Sequence, residues 1–369
     1  HRFEPTGPTQ CFLEDHVQYA LPLGPLGRTA DAAWVRRQLD RMFAYRHATT
    51  AADLADHARF ADRPRLRVAV SGSSGLIGSV LVPFLTAGGH GVRRLLRGQP
   101  DPGASGLSLP TSPGDVDPAD YEGLDAVVHL AGENVAARRW TSERKQRILR
   151  SRVRLTRHLC ALLARLDHPP KVLVCASAVG IYGNRGDRPI DEDDPPGGGF
   201  LADVCRQWEA ATSPATECGI RVVSARFGMV LSPRAGALVP MLRPFRLGLG
   251  GPLGNGRQYW SWISVDDAIG AIHHLLWADE LEGPINLVSP TPVTNRQFVK
   301  TLGRVLRRPA FCRVPAVGLR MLIGQMADEM VLSSTRVAPR RLEAAGYRFR
   351  HATLEDALRH LLGVPGNTG

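Results

Sequence analysis

Val70-Ser71-Gly72-Ser73-Ser74-Gly75-Leu76-Ile77-Gly78 is the stretch on which the reading of this chain turns. It follows a short apolar run at 67–71 and opens a segment of helical apolar period at 76–87, so three glycines fall between a strand and a helix. Each has a physical use. Gly72 permits a tight turn, Gly75 leaves room for an anion to approach the backbone, and Gly78 lets helix and strand pack closely. A helix N-terminus at this point offers unpaired N–H groups to the pyrophosphate of a dinucleotide. Gly72, Ser74, Gly75, Leu76, Ile77 and Gly78 are therefore candidate cofactor-binding residues. Glycine is common here, at 38 residues, but its placement between strand and helix favours the phosphate loop over a merely structural turn.

The second strand, 91–96, ends Leu95-Leu96-Arg97. An acidic residue there would hydrogen-bond the ribose hydroxyls of NAD, whereas an arginine suits a 2′-phosphate. Arg97 lies roughly 20 residues beyond the loop, where this choice is made, so the sequence points to NADP (NADPH). Arg93 and Arg94 add positive charge, but only alternate strand residues face a ligand.

Strands and helices alternate onward: strands at 126–130, 171–176, 221–226 and 285–288, and helices at 142–166, 202–218, 265–278, 295–306, 319–326 and 354–362. This pattern predicts an α/β fold, a Rossmann-type doubly wound parallel sheet with a smaller C-terminal α/β lobe. The first 60 residues read differently. Residues 11–19 alternate as an antiparallel strand would, 21–27 break the chain with Pro and Gly, and 31–44 carry a helical period. A strand and a helix cannot bury a core alone, so 1–60 reads as a remnant of another domain. The chain begins at His1, which reads as the start of a fragment. The expected division is 1–60, then a nucleotide-binding domain at 66–312 with substrate-lobe insertions after about 183 and 232, then 313–363.

The chain's 369 residues carry 46 Lys and Arg against 35 Asp and Glu, a net charge of +11, and only three of the basic residues are Lys. The arginines are scattered rather than gathered in a stripe, which argues against a nucleic-acid partner. No stretch approaches the ~18 apolar residues of a membrane span. The six cysteines form no Cys-x-x-Cys pair, which predicts reduced thiols, a cytoplasmic protein and no metal site. His273 and His274 are adjacent on a helix and cannot chelate from one face.

Asp125-Ala-Val-Val-His-Leu-Ala-Gly132 and Ile181-Tyr-Gly183, with the glycine loop, resemble the extended short-chain dehydrogenases/reductases. Leu130-Ala-Gly-Glu-Asn134, Arg139-Trp140, Ser151-Arg152, Phe200-Leu-Ala, Trp208-Glu209 and Leu249-Gly-Gly-Pro-Leu-Gly-Asn-Gly-Arg-Gln258 resemble an atypical branch of that superfamily. Its members are labelled epimerase family proteins, or nucleoside-diphosphate-sugar epimerase-like. Residues 315–362 resemble a small domain of unknown function in the same proteins. Phe43-x-Tyr-Arg-His47 with Asp53-Leu-x-x-His57 resembles the end of START-like (polyketide-cyclase-like) domains. The branch usually has a histidine where Ser264 stands before Asp266.

The resemblance implies that Leu130, Ala131 and Gly132 line the nicotinamide side of the cofactor, with Ser177 beside it as the family hydroxyl. Arg152, on the long helix, is placed to reach cofactor phosphates or a substrate anion. The superfamily's Tyr-x-x-x-Lys pair is missing, because the helix that should hold it reads Phe200-Leu-Ala-Asp-Val-Cys205. Ser177 and Tyr182 are the remaining catalytic candidates, with Tyr182 more readily a structural tyrosine. Glu133 and Asp203 are weaker ones, and Lys145 reads as solvated. The implied activity is an NADP-dependent oxidoreductase or epimerase-like isomerase acting on a small molecule. The alternative is a silent NADP(H)-binding regulatory or scaffold protein.

Overall fold

The computed structural model describes residues 2–7, 10–18, 35–98 and 106–364. The chain divides into two units, residues 1–48 and 49–369. In the first, Arg2–Gly7 and Gln10–Glu14 pair antiparallel, and Asp15 accepts an ion pair from Arg46 at 3.0 Å. The expected strand at 11–19 thus ends at Glu14, and Tyr19 lies outside the described residues. The expected helix at 31–44 is observed as Arg36–Ala58, while 31–34 lie outside them.

The second unit is built on seven parallel strands: β1 (Arg67–Ser71), β2 (Gly91–Leu96), β3 (Gly106–Ser108), β4 (Ala126–His129), β5 (Val172–Ala178), β6 (Arg221–Phe227) and β7 (Gly283–Leu287). Their order is β3-β2-β1-β4-β5-β6-β7. The chain works outward from β1 to one edge and then from β4 to the other. The reversal between β1 and β4 is the crevice where doubly wound sheets bind ligands. Central strands read as near-continuous apolar runs because helices cover both faces; β4 is buried at all four positions. β3 has only three residues, Gly-Leu-Ser, too few for a periodic signal, and it blunts the edge.

The helices that position the site are α1 (Gly78–Ala87), α2 (Ser142–Leu163), α3 (Phe200–Ala210), α4 (Val265–Trp277), α5 (Asn295–Leu306) and α6 (Leu354–Leu361). The single helix expected at 202–218 is in fact two, Phe200–Ala210 and Ser213–Glu217, because Pro214 has no N–H to continue the ladder and its ring crowds the carbonyl one turn back, so it is accommodated in the first turn of a new helix. A further helix, Leu238–Arg246, contains Pro244; with Pro240 it obscured the period. In the C-terminal lobe a helix at Ala316–Ile323 and a turn at Ala327–Val331 precede α6, which packs on α5 and gives it Glu355 as a partner for Arg304 at 2.6 Å.

Residues 49–58 belong to the second unit. Arg350, its side chain almost wholly buried, meets Asp53 at 2.8 Å and Asp56 at 2.6 Å. Among the described residues no helix is long and apolar enough to cross a membrane, and all six cysteines stand unpaired.

Candidate functional site

The glycine loop is built as its spacing requires. Gly72 has φ +66°, and a Cβ there would lie 2.8 Å from the Leu130 carbonyl carbon. A Cβ on Gly78 would run into the Gly72 carbonyl, so α1 can pack here only through glycine. Gly75 differs: its N–H closes the turn onto Gly72 O at 2.9 Å, and the only atom near its missing side chain is that same oxygen. Ser74 and Gly75 are exposed. Helix α1 begins at Gly78 rather than at Leu76, and its N-cap Ile77 gives no side-chain cap. The N–H groups of Leu76 and Ile77 find no acceptor among the described residues. Unsatisfied donors at a helix start, beside a space a side chain would fill, fit a pyrophosphate.

The facing wall is the turn after β4. Ser71 Oγ donates to His129 Nδ1 at 2.7 Å and accepts from the N–H groups of Leu130 (3.0 Å) and Ala131 (3.2 Å). One hydroxyl thereby fixes Leu130 and Ala131 against Gly72. His129 is wholly enclosed, and burial pushes its pKa down to about 4, so it stays a neutral acceptor. Nothing in the sequence flagged this pair, since it forms only when β1 and β4 lie side by side.

Ser71 pairs with Leu95 across β1 and β2. Arg97, two residues further, therefore leaves the sheet level with Ser73, and it is exposed, with no ion pair among the described residues. Arg93 is committed elsewhere, to the Asp120 carbonyl at 3.0 Å. Arg152 lies against Gly132, where a Cβ would stand 3.2 Å from its guanidinium carbon. It sits 5.0 Å over the Trp208 ring, and among the described residues its one hydrogen bond is a 3.3 Å contact to Ile148 O. Burial lowers its pKa, with only partial help from Cys205 and Glu133. A half-buried guanidinium with no carboxylate partner among the described residues is suited to receive an anion. Glu133 itself pairs with Arg144.

Ser177 and Tyr182 enter one buried network. Ser177 Oγ donates to Glu209 Oε1 at 2.6 Å, and Arg226 grips both oxygens of Glu209, Nε to Oε1 at 2.9 Å and Nη2 to Oε2 at 2.8 Å. Arg226 also donates to the Tyr182 hydroxyl at 2.8 Å, which in turn donates to Asn286 Oδ1 at 2.8 Å. Tyr182 is fully buried. Burial pushes its pKa up against the pull of Arg226. Its hydroxyl is engaged on both sides, the arrangement of a structural tyrosine. Asp203 is exposed and pairs with Arg206 one turn along α3.

Phe200 opens α3 with its ring 5.0 Å from Trp140 and 5.2 Å beneath the Lys145 ammonium. Lys145 also bonds Gln325, so it is held rather than solvated. The lobe closes here. Met326 packs with Trp140, Ile148 and Val204, and Glu329 accepts from the N–H groups of Phe200 (3.1 Å) and Leu201 (2.8 Å). Gln325, Met326 and Glu329 were missed in the sequence because they lie about 125 residues from the helix they cover. The run Tyr259-Trp260-Ser261-Trp262 packs inward at its tryptophans: Trp260 and Trp262 are buried, with Trp260 edge-on to Phe298 at 5.3 Å.

Three histidines gather away from the crevice: His57, His90 and His273, all buried, with ring centroids 4.8 to 6.0 Å apart. Their ring nitrogens are close enough to suggest a metal, which the sequence did not anticipate. The hydrogen bonds argue otherwise. Leu66 N–H donates to His90 Nδ1 at 3.1 Å, so a neutral His90 carries its proton on Nε2. His57 Nε2 meets Phe84 O at 3.0 Å, leaving its Nδ1 as a lone pair. The set is one of mixed donors and acceptors, not three lone pairs. His274 faces Tyr347 instead, at 5.6 Å, as adjacency on a helix requires.

A Rossmann-type sheet with a glycine-lined helix start at its strand-order reversal, covered by a small lobe, defines the class. The chain belongs to the NAD dependent epimerase/dehydratase family, whose model matches residues 68–287. A second match, to a domain of unknown function (DUF1731), covers 314–361. The epimerase family protein Mb2239 of Mycobacterium bovis is 45% identical over 301 residues, 81% of this chain and 98% of that one. The crystal structure of the human epimerase family protein SDR39U1 with NADPH superposes with a TM-score of 0.73 at 34% identity, covering 80% of this chain and 99% of that one. A nucleoside-diphosphate sugar epimerase structure from Corynebacterium glutamicum gives 0.71 at 35% identity, over 88% of this chain and 64% of that one.

Proposed function

We propose that this chain binds NADP(H) in the crevice between β1 and β4 and acts as an epimerase-like oxidoreductase on a small carbonyl or alcohol. The observation that carries the reading is the pair of open N–H groups at Leu76 and Ile77, beside the space left by Gly75. The human relative crystallised with NADPH supports the choice of cofactor. When bound, the cofactor supplies the hydride. The loop N–H groups hold the pyrophosphate, Arg97 takes the 2′-phosphate, and the Leu130–Ala131–Gly132 turn borders the nicotinamide side. Arg152 holds an anionic group of cofactor or substrate. Ser177, its hydroxyl turning from Glu209 to the substrate, positions the reacting oxygen, Tyr182 holds Arg226 in place, and water supplies the proton.

Fluorescence titration with NADPH and NADH tests this. Removing one arginine–phosphate contact costs on the order of 1.5–3 kcal/mol, about ten- to a hundredfold in affinity. Arg97→Ala is expected to weaken NADPH by that factor and leave NADH unchanged. Equal, feeble binding of both by the unaltered protein would sink the reading. A second reading, a cofactor-binding regulatory or scaffold protein without turnover, is favoured by Phe200, which puts a ring without a hydroxyl at the start of α3. Loss of deuteride from stereospecifically labelled NADPH to any member of a carbonyl panel would exclude it. For residues 1–60 we propose kinship with the end of a START-like domain. The longer Corynebacterium structure, of which this chain spans 64%, supports further domains in such relatives.

A further inference from the structure

One face of the second unit combines two features that the crevice does not use. The first is exposed apolar surface. Leu247, Leu249, Phe311, Val317, Met321 and Leu322 are each 61–76% exposed. Eight of the ten large exposed hydrophobics described in residues 49–369 fall in the two segments 239–249 and 311–322. These segments are neighbours in space. Cys312 N–H donates to Gly250 O at 2.9 Å, Val314 N–H to Pro252 O at 2.9 Å and Arg308 Nε to Arg246 O at 3.1 Å. Val317 and Met321 then lie one helical turn apart on the Ala316–Ile323 helix that follows directly.

The second feature is an excess of positive charge. No Asp or Glu occurs at 218–265 or at 283–327, stretches that together hold thirteen Arg and Lys, although Arg221, Arg226, Arg304 and Arg320 meet carboxylates from outside these stretches. Arg243, Arg246, Arg307, Arg308 and Arg313, which flank the apolar side chains, are exposed and form no ion pair among the described residues. By contrast, Arg188, Arg340 and Arg341 meet the acidic loop at 191–194.

We propose that this face docks on an anionic lipid surface, with the apolar side chains entering the acyl boundary and the arginines meeting headgroups. Protruding apolar side chains ringed by unpaired cations are the pattern of interfacial membrane binding. Five of these six side chains are aliphatic, and Phe311 alone gives a nucleic acid one ring rather than a run of stacking faces. Lipid headgroups diffuse to wherever the arginines stand, so no fixed geometry of partner carboxylates is needed. This attachment is peripheral and independent of the cofactor reading.

Flotation with vesicles of phosphatidylcholine and phosphatidylglycerol (about 70:30), against phosphatidylcholine alone, tests it. Each basic residue near such a surface contributes roughly fivefold, so Arg307→Glu/Arg308→Glu is expected to weaken binding at least ~25-fold. Phe311→Ser/Met321→Ser, which leaves every charge in place, is expected to weaken it by an order of magnitude or more. Both pairs are surface residues outside the cofactor crevice, and unchanged thermal unfolding confirms that the variants fold. Full binding by Phe311→Ser/Met321→Ser would overturn the proposal, because attraction then reflects net charge alone. So would an absence of vesicle binding with a dimer in sedimentation that this variant abolishes, which would assign the face to a second copy.

Discussion

Acidification from about pH 8 to about pH 5 is expected to destabilise the second unit through His90 and His273. His90 sits in the turn between α1 and β2, and His273 on α4. Both pack against His57 and Trp277, and Phe84 and Phe60 stand edge-on to His273. Burial, with the neighbouring imidazoles and Arg65 adding to it, pushes the His90 pKa down to about 4 and that of His273 to about 3. Asp53 and Asp56 are nearby, but Arg350 already holds them. The folded pKa is depressed, so the unfolded chain binds the proton first. The stability contribution is full above the unfolded value of about 6.5 and is lost as pH falls from there toward the folded value. At about pH 5 nearly one proton per histidine separates the two states, a slope of roughly 1.2 kcal/mol per pH unit. Integrated from about pH 8, each histidine costs about 2 kcal/mol, or about 4 for the pair as an upper bound. Urea unfolding across this range, on the unaltered chain and on His273→Gln, measures it. The variant should lose about 2 kcal/mol of the pH dependence. An identical slope in both proteins between about pH 6.5 and pH 5 would refute the reasoning.

Two further outcomes follow from the network and the loop. Glu209→Gln leaves Arg226 buried without its counter-charge, and urea unfolding should show a loss of about 3–5 kcal/mol; a change under ~1 kcal/mol would mean that water reaches the pair. Gly78→Ala drives a methyl into the Gly72 carbonyl. It should cost about 1–3 kcal/mol in stability and abolish NADPH binding in calorimetry, whereas unchanged binding would mean that the loop can open.

What the residues alone determined was whatever depends on neighbours in sequence. The glycine loop, the boundaries of Arg67–Ser71, Gly91–Leu96 and Asn295–Leu306, and the position of Arg97 at a strand end all follow from apolar period, glycine spacing and local chirality. Local signals also misled at specific points. Pro214 divided one expected helix, Pro240 and Pro244 hid another, and β3 was too short to carry a period. The tertiary structure alone decided the partners. Ser71 meets His129 across 58 residues, Tyr182 meets Asn286 across 104, and Glu329 reaches Phe200 across 129. Such pairings depend on which strands adjoin and which lobe closes, and no periodicity along the chain encodes them. The same holds for His57, His90 and His273, each unremarkable in its own segment. Packing excludes water from all three together, and that exclusion, not the residue type, keeps them neutral.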